Sequence, residues 1–259
     1  MNRVALITGA TTGIGFELTK LLAADRYNLV LVARDEQRLR QIAADLQTRH
    51  NVSVTVLAKD LAVAKNGEDL VQELQETNVV VDTLVNNAGF GLAGAFVETD
   101  LKQELDMIQL NIVSLVTLTK LLGRQMAQRR QGKILNVAST AAFQPGPFMV
   151  VYYATKAFVL SFSEGLAEEL ASSGVTVTAL CPGPTATQFS KRAQVQESIL
   201  FKGALLPVLD AATVARIGYR GLLKGRRVVI PGLMNKLGVQ GVRLLPRRLA
   251  TSVTRRLNT

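Results

Sequence analysis

The stretch Val4-Ala5-Leu6-Ile7-Thr8-Gly9-Ala10-Thr11-Thr12-Gly13-Ile14-Gly15 joins a short apolar run to a turn with G-x-x-x-G-x-G spacing, which leads straight into a helical pattern over Ile14–Ala24. Val4–Thr8 predicts a strand buried on both faces, because its residues are apolar without alternation. The glycines allow left-handed backbone and let N–H groups come close to a pyrophosphate, and the N-terminus of the following helix favours negative charge. The same spacing would also serve a tight strand-to-helix turn that binds nothing. A strand before it and a helix after it favour nucleotide binding.

Outward from this unit the pattern repeats. Strands are expected at Asn28–Val32, Ser53–Ala58, Thr83–Asn86, Lys133–Val137, Val175–Cys181 and Arg227–Ile230, and helices at Glu36–Arg49, Gly67–Thr77, Leu101–Gln128 and Tyr152–Ser172. Alternating strands and helices imply an α/β fold, a doubly wound parallel sheet of about seven strands with helices on both faces. There is no internal repeat and no Pro/Gly/Ser-rich linker, so the expectation is one domain over 1–232 with a C-terminal extension over 233–259. Ligands in such sheets bind at the carboxyl ends of the strands, where the motifs of this chain fall.

A chain of 259 residues with 48% hydrophobic and 19% charged content can bury a large core. One cysteine, Cys181, excludes an intrachain disulfide, and one histidine, His50, leaves no His/Cys set at metal-ligand spacing, so no metal is expected. A reducing, cytoplasmic setting fits, since neither a secretory signal nor a run of 18 or more uncharged apolar residues is seen. The net charge of +10 is a property of the tail: from Lys224 onward there are nine Lys/Arg and no Asp or Glu.

Ribose specificity is usually set at the end of the second strand, where a carboxylate would bind the hydroxyls and repel a 2′-phosphate. Leu31-Val32-Ala33-Arg34 places Ala and then Arg there, with Arg38 one turn on as a possible assistant. A guanidinium matches phosphate by charge and geometry, which predicts NADP(H). Asp35 is accounted for as a helix N-cap.

Tyr152-Tyr153-Ala154-Thr155-Lys156 begins a helix, and four-residue spacing sets the Tyr152 phenol and Lys156 ammonium on one face. An adjacent ammonium favours the phenolate and lowers a pKa that is ordinarily about 10, so Tyr152 can exchange a proton with a carbonyl or alcohol oxygen. Tyr153 lies about 100° round the helix and is expected to pack. Ser139, just after the strand Lys133–Val137, can hydrogen-bond a carbonyl or developing oxyanion at the same end of the sheet. Asn86-Asn87-Ala88-Gly89 follows the fourth strand, and its small and amide residues suit close backbone approach. Asn111 sits mid-helix, where on spacing alone a surface amide is the better expectation.

These motifs resemble the short-chain dehydrogenase/reductase family and its Rossmann fold over roughly residues 2–232. The matching set is Thr8 to Gly15, Asp60-Leu61, Asn86-Asn87-Ala88-Gly89, Asn111, Ser139, Tyr152 with Lys156, and Pro182-Gly183 with Thr187. The resemblance implies Tyr152 as acid/base, Lys156 on the nicotinamide ribose, Ser139 orienting the carbonyl and Asn111 holding a water that relays protons to Lys156. It further implies a cofactor site of Gly9, Thr11, Thr12, Gly13, Ile14, Gly15, Arg34, Asp60, Leu61, Asn87, Ala88, Gly89, Tyr152, Lys156, Pro182, Gly183, Thr185 and Thr187. Within it Asp60 meets the adenine, Asn87 the adenine ribose region, and Ile14 and Thr187 the nicotinamide side. Many NADPH-using relatives carry a basic residue where this chain has Thr12, so the cofactor expectation rests on Arg34. Dimers or tetramers through Leu101–Gln128 and Tyr152–Ser172 are the family habit.

The substrate is expected to be a hydrophobic ketone or aldehyde, fatty-acyl-derived or steroid-like, facing Phe90, Leu92 and Phe143 to Met149. A lid over 188–209 would present Ile199, Leu200, Phe201, Leu205 and Leu206. In the tail, Leu245, Leu249, Val253 and Leu257 recur every four residues among arginines, a basic amphipathic helix. It would pack on its own domain or a neighbouring subunit, lie on an anionic membrane or dock on an acidic protein. Nucleic acid is not expected, because no aromatic residue is interleaved to stack bases. The alternatives for the whole chain are an NAD-dependent alcohol dehydrogenase of the same family and a non-catalytic nucleotide-binding or membrane-docked module.

Overall fold

The computed structural model describes residues 3–193, 195 and 208–258. Its strands are β1 (Val4–Thr8), β2 (Asn28–Ala33), β3 (Val54–Ala58), β4 (Thr83–Asn86), β5 (Gly132–Val137), β6 (Val175–Leu180), β7 (Thr185–Ala186), β8 (Leu209–Asp210) and β9 (Val228–Val229). Its helices are α1 (Gly13–Ala24), α2 (Glu36–His50), α3 (Asn66–Glu76), α4 (Leu101–Ile108), α5 (Leu115–Gln128), α6 (Val150–Glu169), α7 (Phe189–Arg192), α8 (Ala211–Leu223), α9 (Leu233–Leu244) and α10 (Arg247–Asn258). Seven strands form one sheet in the order β3-β2-β1-β4-β5-β6-β9, every pair parallel. This is the expected doubly wound sheet, and its strand order reverses between β1 and β4.

Period-two alternation divides the core. In β1 and β2, Ala5, Ile7, Leu29 and Leu31 face α1, α2 and α8, through Leu18, Leu22, Leu39, Ile42 and Val214. Leu6, Val30 and Val32 face the opposite layer, where Leu70, Leu118, Leu122 and Met126 close on them from α3 and α5. Burial on both sides is why these strands read as continuous apolar runs.

Two segments depart from expectation. Leu101–Gln128 is not a uniform helix: α4 and α5 are joined by six π-helical residues, Gln109–Ser114. The widened turn carries Asn111 inward, so it is buried rather than on the surface. By length and composition this 28-residue stretch is apolar enough to cross a bilayer, yet here Leu118, Leu122 and Met126 lie on the sheet. The second departure is the parallel pair β7–β8, which joins Thr185 to Leu209 and ties the two ends of the expected lid together. Ile199, Leu200, Phe201, Leu205 and Leu206 lie outside the described residues.

Candidate active site

A cavity of about 880 Å³ runs from the β1–α1 turn, past the carboxyl ends of β4, β5 and β6, to α9 and α10. At its β1 end the glycines do what their spacing requires. Gly9 and Gly13 have φ of +67° and +58°, in the left-handed region that disfavours side chains. A side chain on Gly15 would run into Asn87 Nδ2 and the Gly9 carbonyl. The Asn87 amide donates to Thr8 O at 2.9 Å and Gly9 O at 3.1 Å, so its side chain braces the turn while it lines the cavity. Thr8 Oγ1 adds to the brace by accepting from the N–H groups of Asn87 and Ala88, both at 3.0 Å.

Helix α1 starts at this turn with no side-chain cap from Thr12 and no acidic residue in its first turn. Its first N–H groups and the positive end of its dipole therefore remain available to an anion. Thr11, Thr12 and Ile14 line the cavity beside it, and Thr187 Cγ2 comes within 3.1 Å of where a Cβ on Gly13 would stand. Pro182, Gly183 and Thr185 line the far side, and Ala88 and Gly89 the floor. A cradle that any Cβ would obstruct, set against an uncapped helix, fits a dinucleotide pyrophosphate.

At the mouth, Arg34 follows β2 directly and stands 3.7 Å from Asp60, both side chains reaching solvent. Asp60 also accepts from Ala62 N at 3.0 Å, and Leu61 is buried next to it. Asp35 is the N-cap of α2, accepting from Arg38 N at 2.9 Å as expected. Arg38 is no assistant to Arg34: its guanidinium lies 5.8 Å from the Phe16 ring centroid and bonds Gln41, and it does not line the cavity.

Tyr152, Lys156 and Ser139 meet at the centre. Ser139, just beyond β5, caps a 3-10 turn by accepting from Ala141 N at 3.1 Å, donates to Pro182 O at 3.4 Å, and faces the Tyr152 phenol closely enough to favour its ionised form. Burial pushes the Tyr152 phenol well above its ordinary value, and Ser139 only partly opposes this. The expected lowering by Lys156 is thus not seen in the isolated chain. Lys156 donates to Val137 O at 2.9 Å, with its Nζ 5.8 Å from the Tyr152 ring centroid. Burial lowers the ammonium itself, to about 8.

Asn111 accepts from Phe90 N at 3.2 Å and donates to Phe90 O and Thr155 Oγ1, both at 3.0 Å. A Cβ on Gly89 would fall 2.8 Å from Asn111 Oδ1 and 3.5 Å from Lys156 Nζ, so this glycine keeps open the gap between them.

The outer part of the cavity is walled by Phe90, Met149, Phe189, Val239, Val242 and Leu257. Of the expected wall residues, Leu92, Phe143 and Phe148 do not line it: Leu92 packs in the cluster beneath, and Arg243 and Arg255 cover the rings of Phe143 and Phe148. Tyr153 does more than pack. Its hydroxyl donates to Asn258 Oδ1 at 3.0 Å, while Asn258 Nδ2 donates to Pro147 O at 2.8 Å. The tail thus roofs the cleft, through Asn235, Val239 and Val242 of α9 and Thr254, Leu257 and Asn258 of α10. Of these, the sequence points only to Leu257. The three-residue step from Val239 to Val242 was the available sign of an inward face.

The model of the short chain dehydrogenase family matches residues 3–198. The chain belongs to that family. As a short-chain dehydrogenase it is a nicotinamide-nucleotide-dependent oxidoreductase. It is similar to a short-chain dehydrogenase from Sphingobium yanoikuyae solved in complex with NADPH, with 33% identity, 93% and 94% of the two chains covered and a TM-score of 0.83. It is also similar to the bulky-bulky ketone specific alcohol dehydrogenase from Comamonas testosteroni, at 32% identity, 95% of each chain and a TM-score of 0.78. A very-long-chain 3-oxoacyl-CoA reductase of Pyrenophora tritici-repentis is 33% identical over 229 residues, 85% of this chain but 65% of that one.

Proposed function

We propose that this short-chain dehydrogenase uses NADPH to reduce the carbonyl of a bulky hydrophobic ketone or aldehyde, in a reducing compartment such as the cytoplasm. The observation that carries the proposal is the meeting of Tyr152, Ser139 and Lys156 at one point of a cavity with an uncapped helix N-terminus at one end and an apolar wall at the other. The similarity to an NADPH-bound dehydrogenase and to a bulky-ketone enzyme supports it.

NADPH, when bound, supplies the hydride. Gly9, Thr11, Thr12, Gly13, Ile14 and Gly15 would hold the pyrophosphate and Arg34 the 2′-phosphate, with Asp60, Leu61, Ala88 and Gly89 along the adenosine. Pro182, Gly183, Thr185 and Thr187 would flank the nicotinamide. Ser139 fixes the substrate oxygen, and Tyr152 gives that oxygen its proton. The Tyr152 phenol holds its proton at neutral pH, as the donor in the reductive direction must, while the burial that raises its pKa makes it a weaker acid than a free phenol. Lys156, lowered to about 8, can exchange protons near neutrality and return one to Tyr152. Asn111, anchored to Phe90 and Thr155 across Gly89 from Lys156, holds the water through which that proton arrives. Assembly as a dimer or tetramer belongs to the same proposal, supported by the Phe158–Phe162 stack (5.8 Å) on α6, where Phe158 is exposed.

Titration with NADPH and NADH, repeated on Arg34→Ala, tests the nucleotide half. Because Arg34 is largely solvated, its phosphate contact is at the low end of charge-assisted bonds, about 1.5 kcal/mol, and the preference for NADPH should fall roughly tenfold. Ketone-dependent NADPH oxidation across a panel of increasing bulk tests the rest, and Tyr152→Phe should abolish it. Tight NADPH binding with no turnover on any ketone would mark a sensor instead.

A further inference from the structure

Helix α9 buries one face and leaves the opposite, leucine-bearing face exposed. Asn235 and Val239 are buried against the cleft, whereas Leu233, Leu237 and Leu244 are 71%, 57% and 87% exposed. At 100° per residue these three leucines fall within about 40° of one another, on the side of the helix turned away from the domain. Met234 beside them, Leu245 in the connection, and Leu249 and Val253 on α10 extend the exposed apolar surface. Seven of the seventeen exposed large hydrophobic residues among the described residues lie in this short roof. A solvated surface does not account for such a concentration.

The charge around it chooses the occupant. Residues 224–259 hold nine Lys and Arg and no Asp or Glu. Arg227 pairs with Glu168 on α6, and Arg243 and Arg255 lie over Phe143 and Phe148, but Lys236, Arg247 and Arg248 stand exposed around the leucines. A second copy docked symmetrically would set two such basic surfaces against each other with no acidic group to compensate. A bilayer with anionic headgroups offers both complements at once, acyl chains for the leucines and phosphates for the basic rim.

We infer that α9 and α10 form a docking surface for an anionic membrane, which would bring the roof of the cleft against the lipid. The inference stands apart from the proposed reaction, and nucleotide titration of the same samples separates the two.

Flotation of the full chain with vesicles of phosphatidylcholine, with and without about one-third phosphatidylglycerol, tests it. The wild type should float with the anionic vesicles, and less so at raised salt. Leu237→Glu with Leu244→Glu should cut the bound fraction at least about tenfold while NADPH binding and the unfolding temperature stay unchanged. Lys236→Glu with Arg248→Glu, which leaves every leucine in place, should weaken flotation on anionic vesicles only. Three results would overturn the inference: a folded wild type that stays with the soluble fraction on anionic vesicles, a leucine double variant that floats as well as wild type, or leucine substitutions that break up an oligomer in the absence of lipid. The last would assign the surface to self-association.

Discussion

Lys156 allows a test of the active site that requires neither cofactor nor substrate. Its ammonium is buried, and burial lowers it from 10.5 to about 8. The neighbouring Cys181 thiol would oppose this only as a thiolate, but burial pushes that group up to about 12, so it is neutral over the range that matters. Below pH 8 both the folded and the unfolded chain carry the lysine proton, and the folded chain bears the whole desolvation cost. Between 8 and 10.5 the unfolded chain still holds the proton while the folded chain has lost it, so stability contributed by this residue rises with pH. At about 1.4 kcal/mol per pKa unit, the gain from pH 7 to pH 10 is about 2 to 3 kcal/mol. Lys156→Met keeps the length of the side chain and removes the titration. It also leaves Val137 O without its donor, a cost of about 1 kcal/mol that does not vary with pH. Urea unfolding of both proteins across this range, without nucleotide, should show the wild type gaining on the variant by about 2 to 3 kcal/mol, other titrating groups cancelling in the difference. A difference that stays level within about 1 kcal/mol, or falls with pH, would mean that Lys156 is hydrated or ion-paired in the folded protein, and its role as a proton carrier near neutrality would lose its basis.

Other consequences can be checked separately. Gly15→Ala forces a methyl group onto Asn87 and the Gly9 carbonyl; overpacking of about 1–3 kcal/mol should lower the unfolding temperature by roughly 2–10 °C and weaken nucleotide binding, as calorimetry and titration would show. Asn111→Ala strands the N–H and carbonyl of Phe90, so chemical denaturation should report a loss of about 2–4 kcal/mol; rescue of stability without rescue of turnover by a second-site change would separate its proton-relay role from its structural one. Asn258→Ala removes the acceptor of Tyr153 and a donor to Pro147, about 2 kcal/mol together, and hydrogen exchange at the Thr254 amide should speed up roughly tenfold or more.

What could be read from sequence was what the chain encodes locally. The β1–α1 turn is legible because its strand, glycines and helix are contiguous, and Tyr152 and Lys156 because helical spacing alone puts them on one face. Asn111 was different: a regular helix predicts a surface amide there, and only the π-helical turn, which no residue pattern announced, swings it to Phe90 and Thr155. The proton affinity of Tyr152 had the opposite failing. The ammonium that would lower it is visible four residues away in sequence, whereas the burial that raises it is assembled from distant parts of the chain, including Met149 and Phe189 at its ring. The roof was hardest, because the bond from Tyr153 to Asn258 spans 105 residues and so leaves no local trace. Its helices also broke the assumption behind amphipathic reading, that a single apolar stripe marks the buried face. In α9 the inward face is Asn235 and Val239 while the leucines point outward, and in α10 Ala250 and Thr254 are buried while Leu249 and Val253 are exposed. A stripe that is apolar in sequence yet exposed after folding has been left over by the fold, and its purpose has to be sought in something the chain meets.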